Sequence, residues 1–153
     1  AQPDVLALAP GAEPLPGYRL VRRLGRGGYG EVWECVAPGG LRKAAKFVFV
    51  DTSAYGTDDA LFRQEHDALQ RVKETRHPFL VNLERLETVG SALVMVMELA
   101  DRNLDDRFRE ARAGGRPGIP RDELLVYLAE AAEALDFMAA AHNLQHLDIK
   151  PAN

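Results

Sequence analysis

The sequence predicts an α+β fold in which five antiparallel strands form a sheet and two helices follow it. Three observations support this prediction. Short apolar segments alternate with glycine and proline turns in the first hundred or so residues, which is typical of antiparallel strands. Apolar residues at helical spacing occur between the third and fourth strands and again after residue 120. The 153 residues are 46% hydrophobic and 27% charged, a composition that is typical of a globular chain with a buried core.

Residues 1–16 differ from the rest because they contain four prolines among alanine and glycine. We expect a flexible leader there. The next segment predicts an antiparallel meander, with the glycine-rich residues 25–30 between its first two strands and the turn Pro38-Gly39-Gly40 before its third. The strands are expected at residues 18–24, 31–36 and 43–50.

A helix is expected from Asp58 or Asp59 to about Arg76. Aspartate favours a helix N-terminus, and His77-Pro78 would end the helix. The fourth and fifth strands are expected at residues 83–88 and 92–98.

Two helices are expected in the last third of the chain. The first covers residues 104–113, and the second runs from Pro120 to His142 with acidic residues in its first turn, where they suit the positive end of the helix. The apolar side of the second helix is expected to comprise Leu124, Leu128, Ala131, Leu135 and Met138.

Charge and composition exclude several classes of protein. The formal net charge of −4 disfavours nucleic acid as a partner. The one cysteine, Cys35, excludes an internal disulfide and is typical of a reducing compartment. No apolar run approaches the ~18 residues of a membrane span, so we expect a cytoplasmic segment without membrane contact. Because the chain starts at Ala1 and ends within a loop, we interpret it as part of a longer protein, which can be membrane-anchored elsewhere.

The spacing Gly25-x-Gly27-x-x-Gly30 occurs in loops that bind phosphates, but also in plain hairpins. A dinucleotide-binding fold needs a helix directly after the glycines. Residues 31–36 predict a strand instead, which excludes that fold, and the P-loop pattern is absent. A hairpin that covers phosphates and a hairpin without a ligand both remain open.

Two charged residues are predicted to lie within apolar surfaces. Lys46 shares a strand face with Ala44 and Val48, and Glu65 lies at helical spacing within an apolar stripe. A buried carboxylate needs a cation, so we expect the two to form an ion pair. The alternatives are a lysine that reaches the edge of the sheet and a glutamate on an exposed helix face.

The last eight residues, His146 to Asn153, predict a rigid loop, because Pro151 disfavours helix at the residue before it. The segment reads His-Leu-Asp-Ile-Lys-Pro-Ala-Asn and resembles the catalytic loop of protein kinases, H-R-D-L-x-x-x-N. The glycine segment with Val32 resembles the kinase pattern G-x-G-x-x-G-x-V, and residues 43–46 look like its V-A-I-K. Residues 94–100 resemble the strand and hinge beside the adenine pocket. The motifs come in family order at family spacings, as in eukaryotic-like bacterial Ser/Thr protein kinases.

The resemblance implies a protein-kinase-like fold truncated after the catalytic loop. Residues 17–100 would be the small lobe, with Glu65 on its helix C, and residues 101–153 the start of the large lobe. It also implies ATP and Mg²⁺ as cofactors, with Met97 as gatekeeper and the backbones of Glu98 and Ala100 bonding the adenine. The nucleotide-binding residues would be Leu24, Gly25, Arg26, Gly27, Gly28, Tyr29, Gly30, Val32, Ala44, Lys46, Met97, Glu98 and Ala100.

The same resemblance assigns the catalytic roles in a Ser/Thr protein kinase acting on a protein substrate. Asp148 would accept the proton of the substrate hydroxyl, and Lys150 would neutralise charge on the transferring phosphoryl group. Lys46 would hold the ATP phosphates while Glu65 orients it. Asn153 would bind a magnesium ion through its carboxamide oxygen.

The sequence departs from the family pattern in two ways. Leu147 stands where the family usually has arginine, which suggests regulation without a phosphorylated activation loop. The D-F-G segment is not among the 153 residues, so we expect this chain alone to be inactive. A pseudokinase that binds nucleotide as a scaffold, and a small-molecule kinase of related fold, are the alternative functions.

Overall fold

A computed structural model of the chain describes residues 6–27, 30–49, 70–146 and 149–153. The chain forms two compact units. The first comprises Ala1–Glu74 and Val81–Leu99, and the second comprises Thr75–Leu80 and Ala100–Asn153.

The first unit contains the predicted five-stranded antiparallel sheet. Its strand order is β1-β2-β3-β5-β4, so β5 lies between β3 and β4. A short 3₁₀ turn, Pro38–Gly40, joins β2 to β3, as the sequence predicts. The strands are β1 (Arg19–Gly27), β2 (Gly30–Val36), β3 (Arg42–Phe49), β4 (Leu83–Val89) and β5 (Ala92–Glu98).

The sheet has two faces with different apolar cores. We call the first the leader face; its buried core consists of Leu20, Trp33, Cys35, Ala45, Phe47 and Val94. We call the second the Lys46 face, because Lys46 lies opposite Val32 and Met95 in the strand register. The core on the Lys46 face consists of Leu83, Leu86, Leu93 and Met95.

The described part of the leader, residues 6–16, packs against the leader face. Leu6, Leu8 and Ala12 contact its core, and Leu15 is only 1% exposed. The Leu20 backbone N–H donates to the Ala12 carbonyl at 2.8 Å. This packing differs from the flexible leader that the prolines suggest, because the leucines between them supply enough apolar surface to dock the segment.

The helix expected before β4 is described only at its end, where residues 70–74 are helical. The rest of that helix, including Glu65, lies outside the described residues. The other two helices agree with the prediction and belong to the second unit: α1 is Leu104–Ala113 and α2 is Arg121–His142. Among the described residues, no helix is long and apolar enough to cross a membrane.

The burial of α2 differs from the predicted apolar side. Met138 is buried as expected, but Leu128 is 50% exposed, and Leu125 and Val126 are exposed to a similar extent. Helical periodicity identifies a potential contact face, but burial requires a neighbouring element to cover it. Within the described residues the last turns of α2 are better covered than its first turns, where these leucines and the valine lie.

Candidate functional site

The β1–β2 hairpin carries the glycine motif. Gly27 and Gly30 are paired at its end, and Gly28 and Tyr29 between them lie outside the described residues. Gly30 has φ +157°, and a Cβ there would lie 1.8 Å from the Phe47 carbonyl oxygen, so the fold itself requires this glycine. At Gly25 and Gly27 a Cβ would meet nothing within 4 Å. Packing therefore explains only one of these three glycines.

Side-chain contacts tie the two strands of the hairpin together near its tip, on the leader face. The Trp33 indole Nε1–H donates to Glu31 Oε2 at 2.8 Å. Arg23 and Arg26 approach the other oxygen of Glu31 at 3.5 and 3.7 Å. Because Arg26 lies between the first two glycines, these contacts restrict the hairpin close to the motif.

The strand register places four of the predicted nucleotide-binding residues on the Lys46 face. Val32 lies opposite Lys46 across the β2–β3 pair, and Ala44 lies opposite Met97 across the β3–β5 pair. Directly paired residues point to the same side of a sheet. Ala44 is buried, Met97 is half-buried and Lys46 is exposed. The expected partner of Lys46, Glu65, lies outside the described residues.

Leu24 and Glu98 are two further predicted nucleotide-binding residues that the structure describes. Leu24, in β1, is 39% exposed, so its side chain is available to a ligand. Glu98 ends β5, and its backbone N–H donates to the Asn82 carbonyl at 3.2 Å. The Glu98 carboxylate accepts from the Asn82 backbone N–H at 3.0 Å, which fixes the chain just before the predicted hinge residue Ala100.

Sequence reasoning missed one group on the Lys46 face. Glu34 is fully buried and lies directly opposite Ala44 and Arg22 in the register. Its carboxylate pairs with Arg22 and with Arg42. Burial would raise its pKa, but hydrogen bonds and charges from the two arginines outweigh that effect and hold the pKa below its ordinary value. The clue in the sequence was that Glu34, a charged residue, lies on the same side of its strand as the apolar Val32.

In the second unit, the last residues of the chain are fastened to the start of α1. The Asp105 backbone N–H donates to the Pro151 carbonyl at 3.0 Å, and the Asn103 side-chain amide donates to the Ala152 carbonyl at 3.2 Å. Asn103 also caps α1 by accepting from the Asp106 backbone N–H at 2.9 Å. Hydrogen bonds to its backbone carbonyls therefore hold the described part of the predicted catalytic loop in place.

The side chains of that loop are exposed at the predicted catalytic and metal positions that are described. Lys150 and Asn153 both lie at the surface, and Leu147 and Asp148 lie outside the described residues. Mg²⁺ prefers oxygen ligands and keeps several waters, so the carboxamide of Asn153 suits it chemically. In the described parts of the chain, no three His, Cys, Asp or Glu side chains form a cluster that could hold a metal ion.

One further network connects the two helices of the second unit. The Arg107 guanidinium donates to both carboxylate oxygens of Glu123 at 2.6 and 2.8 Å, and the Tyr127 hydroxyl donates to the same carboxylate at 3.0 Å. These hydrogen bonds hold the pKa of Glu123 below its ordinary value. These hydrogen bonds hold the start of α2 against α1. The last residues of the chain are hydrogen-bonded to the start of the same helix.

Comparison with known proteins identifies relatives of this chain. The sequence pattern of the family described as protein kinase domain matches residues 18–153. The chain is 34% identical over 143 residues to the serine/threonine-protein kinase PknF of Mycobacterium tuberculosis, covering 90% of this chain and 28% of PknF. It is 27% identical to the serine/threonine-protein kinase ULK3 of Rattus norvegicus, covering 94% of this chain and 29% of ULK3. The chain thus spans little more than a quarter of these relatives.

The fold also matches that of solved structures. The crystal structure of the Mycobacterium tuberculosis PknI kinase domain superimposes with a TM-score of 0.74 at 27% identity, covering 96% of this chain and 56% of that one. The five-stranded sheet and the helices after it are therefore those of a kinase domain. By the extent of the sequence match and by the fold, the chain belongs to the protein kinase domain family.

Proposed function

We propose that the protein containing this chain transfers a phosphoryl group from ATP to a serine or threonine hydroxyl of a protein. The arrangement that best supports this proposal is the glycine hairpin beside Lys46. Val32, two residues after Gly30 on β2, lies opposite Lys46 on one face of the sheet. The names of PknF and ULK3, both serine/threonine-protein kinases, support the choice of hydroxyl.

The two glycines that packing does not explain support phosphate binding at the hairpin. Because Gly25 and Gly27 have open space where a Cβ would be, a ligand can approach their backbone closely. Lys46 is exposed on the adjacent strand, where its ammonium can neutralise phosphate charge. Backbone N–H groups together with a cation are the recurring means of holding a nucleotide polyphosphate.

In this proposal the chain supplies positioning and charge. Lys46 holds the phosphates and Glu65 orients Lys46, while Asp148 accepts the proton of the attacking hydroxyl. Lys150 stabilises the charge that develops on the transferring group, as Lys or Arg residues do in phosphoryl transfer. Asn153 would contribute one oxygen ligand to a magnesium ion, which would neutralise phosphate charge when bound.

These 153 residues contain no Asp-Phe-Gly sequence, and the family pattern assigns that aspartate to magnesium. We therefore propose that this chain alone binds nucleotide without transferring phosphate at a useful rate. Its parent protein would act in the cytoplasm, whether or not a separate region anchors it to a membrane.

Nucleotide binding by Lys46→Met tests the proposal. We expect the substitution to weaken Mg-ATP binding at least about tenfold, because it removes a charge-assisted contact worth ~1.5–3 kcal/mol. Calorimetry with the 153-residue chain measures this, and a transfer assay on the same samples detects any kinase activity.

Lys43→Met provides a matched control. Lys43 lies on the same strand, but on the leader face, where its ammonium pairs with Glu84 at 2.5 Å. We expect Lys43→Met to leave ATP affinity within about twofold of the native value. Equal losses in both variants, or Mg-ATP binding that is insensitive to Lys46, would contradict the proposed site.

A further inference from the structure

Glu34 is an unusual residue for its position. It is fully buried in the middle of the Lys46 face, directly opposite Ala44 and two residues from Val32 on the same strand. Both neighbours are among the predicted nucleotide-binding residues. A carboxylate without partners at this point would cost several kcal/mol and would place a negative charge beside the nucleotide.

Two arginines from the flanking strands neutralise it. Arg22 on β1 donates from Nε to Glu34 Oε2 at 2.8 Å, and Arg42 on β3 donates to Glu34 Oε1. The side chains of Arg22 and Arg42 are 64% and 63% exposed, while that of Glu34 is inaccessible. The carboxylate therefore binds one cation from each side and is covered by both.

The backbone pairing is irregular where this contact occurs. The β1–β2 register shifts between Leu20 and Arg22, and again between Arg23 and Gly25, so irregularities flank the position that contacts Glu34. Such irregularities bend a strand and increase its twist. The pairing from β2 to β3 has no such shift. The orientation of β1 as it enters the glycine motif thus depends on side-chain contacts as well as on the ladder.

We infer that Glu34 is a positioning residue for the glycine hairpin. Through Arg22 and Arg42 it ties β1 and β2 to β3, so that the hairpin and Lys46 are held in position to bind the same nucleotide phosphates. This inference rests on the proposed function. It assigns the residue a role in phosphate binding that acts through the hairpin and involves no contact with the nucleotide.

Glu34→Gln tests this role, because it keeps the shape of the side chain and removes its charge. We expect Mg-ATP to bind about tenfold more weakly, since charge-assisted hydrogen bonds are lost from both arginines. Adenosine, which has no phosphates, should bind within about twofold of its native affinity. A variant that merely loosened the fold would weaken both ligands equally, and that result would overturn the inference.

Glu87→Gln is the matched control. Glu87 also pairs with an arginine of this sheet, Arg85, but lies on β4 at the opposite edge from the hairpin. We expect it to leave the affinities for ATP and adenosine unchanged within about twofold. If Glu34→Gln does not fold, Arg22→Gln removes only the β1 contact and should show the same selective loss of ATP affinity.

Hydrogen exchange separates this inference from the proposed function. In the ligand-free chain, Glu34→Gln should accelerate amide exchange in residues 19–36 and leave residues 83–98 unchanged. If the native chain binds no ATP, the proposed nucleotide site fails for this chain, and the exchange pattern alone decides whether Glu34 positions the hairpin. Unchanged exchange in residues 19–36 would overturn the inference.

Discussion

The two faces of the sheet are built from the same strands but differ in what covers them. On the leader face, Leu6, Leu8 and Ala12 pack against a core that includes Trp33 and Phe47, both nearly inaccessible. On the Lys46 face, Lys46 remains exposed although Ala44 and Met95 on the same face are buried. Alternate residues of one strand therefore serve different purposes, with one set stabilising the fold and the other available for a ligand.

This difference suggests where substitutions should affect stability and where they should affect binding. Residues on the leader face are expected to contribute to folding through buried apolar area. Exposed residues on the Lys46 face should contribute little to folding, because their removal leaves no cavity. Lys46→Met and Glu34→Gln are expected to change nucleotide binding, whereas substitutions at Leu15, Gly30 and Cys35 are expected to change stability.

The largest expected effect is that of Leu15→Ala. Leu15 is 1% exposed, and removing a buried leucine side chain typically lowers the free energy of unfolding by ~3 kcal/mol. Urea unfolding of the chain measures the change. Leu41→Ala is the matched control, because Leu41 is 59% exposed and the same truncation should cost less than about 0.5 kcal/mol. Equal effects would mean that the leader does not stabilise the sheet.

A loss of stability is also expected for Gly30→Ala. Alanine would have to adopt a backbone angle that non-glycine residues rarely adopt, which alone costs about 2 kcal/mol, and its Cβ would also clash with the Phe47 carbonyl. Gly27→Ala has open space around it and should retain native stability within about 0.5 kcal/mol, while weakening Mg-ATP binding. Thermal unfolding and calorimetry distinguish the two glycines. A larger loss of stability from Gly27→Ala would contradict this assignment.

The smallest effect concerns Cys35, which lies in the leader-face core. Burial, together with the charge of Glu34, raises the pKa of its thiol from 9.0 to about 11. The unfolded chain therefore loses this proton at lower pH than the folded chain. The contribution of the thiol to stability is fully present below pH 9 and is lost as the pH rises towards 11.

Melting temperatures between pH 8 and pH 10.5 test this prediction. Native protein should lose more stability over that range than Cys35→Ala does, by about 1 kcal/mol or more. The difference between the two pH profiles isolates the effect of the thiol from that of the lysines and tyrosines, which titrate in the same pH range. Identical pH profiles would show that the folded-state pKa is not raised.

The order and bounds of the main elements were largely predictable from the sequence. Alternation and turn residues predicted the five strands, and α1 and α2 lie within one residue of their expected ends. The glycine motif and the closing loop identified the family. Local pattern suffices for these features, because strand period, turn chemistry and helix termini are set by neighbouring residues.

The sequence alone could not determine what covers each element. Prolines suggested a free leader, but packing against Phe47 and Val94 depends on contacts that are distant in sequence. Leu128 was predicted to be buried but is exposed for the same reason. Periodicity identifies the apolar face of a helix, but it does not identify the element that packs against that face. The Glu34 network was also missed, because its arginines come from two other strands and meet only through the register.

The sequence by itself determined the strands, the helices and the motif residues at which a nucleotide is proposed to bind. Only the tertiary structure decided that the face of Ala44 and Lys46 also carries Val32 and a buried Glu34 from β2, and that the leader closes the opposite face. The physical reason is that secondary structure follows from short-range backbone and side-chain preferences. Burial and charge pairing depend on which distant segments come together in the folded chain.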